Sequence, residues 1–367
     1  MVLARQIWGK EHGLVRRRGS TRIQCTAQHI GDGVPGCPTS RIGVRGESGL
    51  EKTVRSAGAS LKDEHRRFHF RGGSVPSSHG FQIASHMSRA IAISDSADAR
   101  VREYFRLKEG DLGRGIDARS PHGCFICEGH FVVEHLLQST FDCRSVLVAD
   151  TKLESLAPLL SRVPGDAPIY TMSERVMTEL LGLRFHRGIL AAGARKAPLD
   201  ETGRRVLLEQ SSAVIFLEGL TNVDNVGGIF RCASALCPAG SAVALSPGCC
   251  DPLYRKSIRV SMGHALRVPF AAMGENAIDE LGRAGFVTIA LTPSADSMDL
   301  QSCARELNTR LKGRKVALLL GAEGPGLMPD TLRQAEIRCR IPQRPGVDSL
   351  NVMVAGAIAM SALFNPA

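Results

Sequence analysis

The chain has 367 residues, 46 Lys and Arg against 36 Asp and Glu, and 43% hydrophobic residues. That is chain enough for two domains with cores of their own plus a tail. No apolar run is long enough to span a bilayer and the N-terminus has no secretory core, so a cytoplasmic protein is expected, with its 11 cysteines as reduced thiols.

The basic surplus sits at one end. Residues 1–86 hold 14 Lys and Arg against 6 Asp and Glu, leaving 32 against 30 for the rest. The charge of the whole chain is therefore no argument that its folded part binds nucleic acid. The head is rich in Gly, Ser and Arg and has no sustained periodicity, which predicts a disordered extension over about residues 1–90. Below that reading stand a basic RNA-binding arm and a misassigned start, since Met87-Ser-Arg-Ala-Ile opens just before the first domain. A transit peptide comes last, because acidic residues are scattered through the head and no amphipathic helix is evident.

The next stretch, residues 95–197, is about the length of one domain. The strand-like run Cys124-Phe-Ile-Cys127-Glu128-Gly129 leads into an amphipathic segment, His130 to Leu137. An apolar run follows at Ser145–Val148, and Arg184-Phe-His186-Arg187-Gly188 precedes another at Ile189. Cys124 and Cys127 have the spacing of half a zinc site. They alternate with Phe125 and Ile126 inside an apparent strand, no second Cys/His pair follows at zinc spacing, and no metal is expected. A linker rich in Pro, Ala and charge runs from about Ala194 to Thr202.

From residue 211 onward, within a domain set at 205–367, apolar runs alternate with helical stretches. Strands are predicted at Ala213–Leu217, Ala242–Leu245, Val287–Leu291, Val316–Leu320 and Arg338–Ile341, giving a parallel sheet with helices on both faces. Adjacent Cys249 and Cys250 read as a loop pair, since neighbouring cysteines bridge only with strain.

Three of these strands end in polar loops. After the first comes Thr221-Asn222-Val-Asp224-Asn225-Val-Gly227-Gly228-Ile-Phe-Arg231, with a helix predicted to open near Asn225. Gly227 and Gly228 leave its first turn bare, so something can approach the backbone there. After the fourth comes Gly321-Ala-Glu323-Gly324-Pro325-Gly326-Leu327, where a carboxylate directly behind an apolar strand needs water, a partner or a ligand. After the fifth comes Ile341-Pro-Gln-Arg-Pro-Gly-Val-Asp-Ser349-Leu350-Asn351-Val352, running into a helix of small and apolar residues. Taken alone, Ser349 reads as an N-cap and Arg231 as a surface helix arginine.

In order and spacing, these three loops resemble the motifs of the SpoU/TrmH family of RNA ribose 2′-O-methyltransferases, within the SPOUT superfamily. The resemblance is close over residues 211–364, where Leu245 to Gly263 is also family-like, and looser over 97–197, which looks like the small α/β substrate-binding domain many members carry ahead of the catalytic one. It implies a SPOUT-type parallel sheet with a C-terminal trefoil knot, against the general rule that connections are unknotted. It also implies a homodimer with its site near the subunit interface. The small residues Ala355, Gly356, Ala357 and Ala359 would allow close helix approach there.

The activity so implied is methyl transfer from S-adenosylmethionine to a ribose 2′-hydroxyl of rRNA or tRNA. Carried over residue by residue, the resemblance assigns Gly321, Ile341 and Leu350 to the cofactor, although Ile341 and Leu350 serve equally as core. It assigns Asn225, Arg231, Glu323, Ser349 and Asn351 to catalysis. A guanidinium holds its proton too tightly to be a free base, so Arg231 would hold a phosphate and stabilise the developing alkoxide. Asn225 and Asn351 would bond Arg231 or the ribose, Ser349 would orient the acceptor, and Glu323 would fix the arginine or nearby donors. The chain departs from the pattern at Met353, where many members carry serine. Two rivals remain: a catalytically silent RNA-binding ribosome-assembly factor, and a SPOUT tRNA guanine-base methyltransferase, against which Ser349-Leu-Asn351 argues. A phosphate-binding enzyme is weaker, because Gly321-x-x-Gly324-x-Gly326 lacks the Lys-Ser/Thr of a P-loop.

Overall fold

Two sheets organise the chain, one mixed and one wholly parallel, in a computed structural model that describes residues 89–107, 121–347 and 349–364. The predicted extension over residues 1–90 lies outside these apart from its last two residues. The described residues fall within one compact unit.

The first sheet has the order β1-β4-β3-β5-β2, from β1 (Ala90–Ala92), β2 (Cys124–Glu128), β3 (Cys143–Ala149), β4 (Ile169–Met172) and β5 (Ile189–Ala194). β1, β4 and β3 pair in parallel; β5 pairs antiparallel with both β3 and β2. Around it lie α1 (His130–Gln138), α2 (Leu153–Leu160) and α3 (Glu174–Leu181). Alternation along β2 sends Cys124 and Ile126 into one core and Phe125 and Cys127 into the other. The two thiols thus face opposite sides of the sheet and cannot share one ion.

The linker is shorter than predicted. Asp200 accepts a hydrogen bond from the Gly203 N–H at 2.8 Å and caps α4 (Glu201–Gln210).

The second sheet has seven parallel strands in the order β10-β12-β9-β11-β6-β7-β8. They are β6 (Ala213–Glu218), β7 (Ala242–Leu245), β8 (Phe270–Ala272), β9 (Phe286–Leu291), β10 (Met298–Asp299), β11 (Lys315–Gly321) and β12 (Ile337–Arg340). Between them run α5 (Val223–Leu236), α6 (Arg255–Val260), α7 (Ala277–Arg283), α8 (Leu300–Asn308) and α9 (Pro329–Gln334), and α10 (Val352–Phe364) closes the chain. The five predicted strands are present within a residue or two. β8 and β10 were not anticipated, because two or three residues carry too little periodicity to read.

Both faces of this sheet are covered. Ile215, Leu217, Leu318 and Leu320 share a core with α5 and α10; Val214, Phe216, Ala317 and Leu319 share one with Leu208 of α4 and Leu281 of α7. Burial on both faces is why the strands read as unbroken apolar runs. The chain builds outward from β6 through β7 to β8, then returns to insert β11 between β6 and β9. That reversal makes a crevice at the carboxyl ends of β6 and β11, where open parallel sheets hold ligands.

Candidate active site

α5 begins two residues earlier than the sequence indicates. Asn222 is its cap, with Oδ1 accepting from the Asp224 N–H at 2.8 Å and the Asn225 N–H at 3.4 Å. This leaves Asn225 in the first turn, only 4% exposed, facing the loop after β11. Its Nδ2 donates to Glu323 Oε1 at 2.5 Å.

The third motif closes the arrangement. Asn351 Nδ2 donates to Glu323 Oε1 at 3.0 Å and to Asn225 Oδ1 at 3.1 Å. Its Oδ1 meanwhile accepts from the Met353 and Val354 N–H groups at 3.0 and 3.3 Å. The cap of α10 is therefore Asn351; Ser349 is not the N-cap that the bare sequence offers. One amide holds the helix start with its oxygen and the site with its nitrogen. Three loops up to 126 residues apart in sequence thus meet on one carboxylate.

Arg231 is not part of this triangle. Six residues past Asn225 it lies about 240° further round the helix and about 9 Å along it, and its side chain is exposed. Among the described residues none accepts a hydrogen bond from it. Arg231 makes no hydrogen bond to Asn225, Asn351 or Glu323 within the chain; of the two expected partners of Glu323, the arginine or nearby donors, it is the donors, the two asparagine amides, that hold it. Arg231 lies on the His264 side, where its charge helps to hold the His264 pKa down, after burial as the main cause.

Beside the triangle is a cavity of about 330 Å³ at the carboxyl ends of β9, β11 and β12. Its lining includes Gly321, Ile341 and Leu350, together with Glu323, Ser349 and Asn351. Sequence reasoning missed Leu291, Thr292, Gln343 and Ala355 in the same wall. Gln343 is the informative one: its Oε1 is buried and has no hydrogen-bond partner among the described residues. An acceptor in that position invites a donor from a ligand. The signal available was a polar residue three positions past the end of β12.

Packing explains the glycines of these loops. A Cβ on Gly321 would lie 2.2 Å from the Gly326 carbonyl carbon and the Leu327 nitrogen. The residue is glycine because the loop folds back on itself there, with the Gly326 N–H bonded to the Ala322 carbonyl at 3.0 Å. Likewise, what approaches the bare first turn of α5 is protein: Cβ atoms on Gly227 and Gly228 would meet the Ser257 carbonyl oxygen at 2.6 Å and Met353 Sδ at 2.0 Å. The residue that departs from the family pattern therefore packs against α5.

Comparison with known proteins now bears on this geometry. Residues 212–361 match the model of the SpoU rRNA Methylase family. An uncharacterized tRNA/rRNA methyltransferase of Mycobacterium bovis is 38% identical over 73% of this chain and 89% of its own length. The chain belongs to the SpoU family. A second relative is a 23S rRNA (guanosine(2553)-2′-O)-methyltransferase of Bacillus subtilis, 26% identical over 65% of this chain and 88% of that protein. The fold is shared with an AdoMet-bound rRNA methyltransferase from Sinorhizobium meliloti, with a TM-score of 0.58 at 20% identity, covering 75% of this chain and 97% of that one. Like its SpoU relatives, the protein is an RNA methyltransferase. Among the described residues no cluster of His, Cys, Asp and Glu is arranged to hold a metal ion, and no helix is long and apolar enough to cross a membrane.

Proposed function

We propose that this SpoU protein transfers a methyl group to a ribose 2′-hydroxyl of rRNA or tRNA. The observation that carries the reading is the Asn225–Glu323–Asn351 triangle at the mouth of the cavity, formed by one residue from each of the three motif loops. A non-catalytic assembly factor would have no need to keep all three in register with an open cavity.

The methyl donor is S-adenosylmethionine, which supplies an electrophilic methyl carbon on a sulfonium. The cavity fits such a group. Leu291, Ile341 and Leu350 give apolar walls, and Gln343 Oε1 offers a buried acceptor that an adenine amino group can satisfy. The chain's own residues then position the acceptor. Ser349 orients the ribose hydroxyl, the two asparagines fix the Glu323 carboxylate beside it, and Arg231 holds an RNA phosphate and stabilises the developing alkoxide.

Because Arg231 stands apart from the triangle within one chain, the complete site needs a second copy. α10 supports that reading. It is apolar all round, and Val354 and Ile358 remain 42% and 40% exposed; a helix of this kind calls for a partner. In the same reading residues 205–367 are the methyltransferase domain, with its C-terminal segment tucked through a loop as a trefoil knot, and 95–197 bind the RNA substrate. The return of β11 and β12 into the interior of the sheet is in keeping with the knot. Mapping 2′-O-methyl sites in total RNA from a deletion strain and its parent tests the proposal. A lost site names the substrate, and an unchanged map returns the protein to the assembly-factor reading.

A further inference from the structure

Away from the triangle, where α6 packs against β2, three arginines converge on one carboxylate. Glu128 closes β2 and its side chain is only 10% exposed. Arg255 Nη1 donates to its Oε2 at 3.2 Å, Arg259 Nη1 lies 3.8 Å from the same oxygen, and Arg187 Nε lies 3.4 Å from Oε1. Arg187 comes from the loop before β5, and the other two from α6.

One carboxylate thus faces three guanidiniums, and among the described residues Arg187 and Arg259 have no other carboxylate partner, so the cluster keeps a positive surplus. It is also open on one side: the arginine side chains are 48%, 40% and 26% exposed for Arg187, Arg259 and Arg255. Gathering like charges this closely is unfavourable unless an anion completes the set. Arginine is the residue whose planar fork matches a phosphate.

The surroundings extend the basic surface on one side and reach the triangle on the other. The Lys152 side chain crosses the backbone of Gly188, next to Arg187. Arg187 in turn lies over Gly129, where φ is +93° and a Cβ would sit 3.2 Å from its Cδ, so glycine keeps room for the arginine. On the other side Lys256 of α6 pairs with Asp224 at 2.8 Å, one residue before Asn225 of the triangle.

We propose that Arg187, Arg255 and Arg259 form a phosphate-binding site for the RNA strand whose ribose enters the triangle, with Glu128 as the positioning residue that aims them. This rests on the RNA reading above. Phosphate contacts carry no sequence information but fix register, so the cluster would set how the strand lies between the first sheet and the active site.

The test is a salt titration of RNA affinity for the full chain, using a fluorescein-labelled 20-nucleotide oligouridylate as probe and anisotropy as the signal. Each lost phosphate contact lowers the slope of log affinity against log salt by about 0.7 on a single strand. Arg187→Gln/Arg259→Gln should therefore lower it by about 1.4 and weaken binding about tenfold at low salt. The pair Arg310→Gln/Arg333→Gln makes the same charge change elsewhere and should leave the slope alone. Glu128→Gln removes the internal counter-ion and should steepen it. An unchanged slope in the double variant, with wild-type protein binding normally, overturns the site and leaves the proposed activity standing. Glu128→Gln that lowers the melting temperature without moving the slope also overturns it, reducing the cluster to a structural latch. Failure of the wild type to bind the probe at any salt, with S-adenosylmethionine still bound, overturns the RNA reading and the site together.

Discussion

Replacing Asn351 by Asp changes one atom group of the triangle and leaves the helix cap intact. The aspartate oxygen caps α10 as well as the asparagine does, but the Nδ2 donor is lost and a second negative charge comes to lie about 3.0 Å from Glu323 Oε1. Two unit charges at that distance repel by about 1.4 kcal/mol in bulk water and about 5.5 kcal/mol at an effective dielectric of 20. Glu323 and Asn351 are both exposed, so solvent screening favours the lower part of that range, about 1–3 kcal/mol. Asn351→Ala loses the same donors without the repulsion, and loses the cap, at a cost of about 1 kcal/mol. At pH 7 the aspartate variant should therefore melt at or below the alanine variant, with about 2 °C for each kcal/mol between them. Acidification protonates one of the two facing carboxylates and turns repulsion into a shared hydrogen bond. Between about pH 6 and pH 4 the order should then reverse, with Asp above Ala. Scanning fluorimetry of both variants across that range is the assay. Two melting curves that run parallel at every pH would refute the contact between Asn351 and Glu323.

The cavity assignment predicts that Ala355→Leu, a favourable helix residue pointed into the wall, abolishes S-adenosylmethionine binding by calorimetry while the melting temperature stays near wild type. Gly321→Val should instead destabilise the protein, because its side chain meets the backbone of its own loop. Arg231→Lys should lose most of the turnover, in kcat more than in KM, with cofactor affinity unchanged, since a point charge lacks the planar fork; full activity in that variant would leave Arg231 a general electrostatic role. His135 of α1 and His264 meet with ring centroids 4.9 Å apart, and burial lowers both pKa values, with Arg267 adding to each and Arg231 to His264, while Glu134 opposes the shift at His135. A depressed histidine pKa leaves stability intact above the unfolded value of about 6.5 and removes it as the pH falls below. The melting temperature should drop below pH 6.5, and His135→Gln/His264→Gln should flatten that drop. Finally, a chain starting at Met87 should retain turnover, measured as tritiated methyl incorporation into RNA, because the triangle and the cavity are built entirely from residues beyond it.

Periodicity and turn chemistry were enough to locate the strands that matter. β6, β9 and β11 are buried on both faces, so each is an apolar run that ends where its loop must turn polar. The motif loops stood out for the same reason, and the residues singled out for the cofactor do line one cavity. Gln343 was harder to see, because nothing local distinguishes a glutamine facing solvent from one whose carbonyl is buried without a partner. At Gly227 and Gly228 the close approach was legible but its maker was not, and Ser257 and Met353 supply it. A bare backbone signals a close approach, and sequence does not say whether a ligand or the protein itself makes it.

The sequence by itself determined the family, the parallel sheet and the set of polar residues at its carboxyl edge, since these depend on local pattern and motif order. Tertiary structure decided which of those residues touch. Asn225 and Asn351 grip Glu323 because the return of β11 beside β6 brings three distant loops to one crevice. Arg231 faces away from them because six residues of α-helix turn it two-thirds of the way round. Packing of α6 against β2 likewise gathered Glu128 and its three arginines from three separate segments of the chain, since a charge cluster between distant segments forms only when the fold closes the space between them.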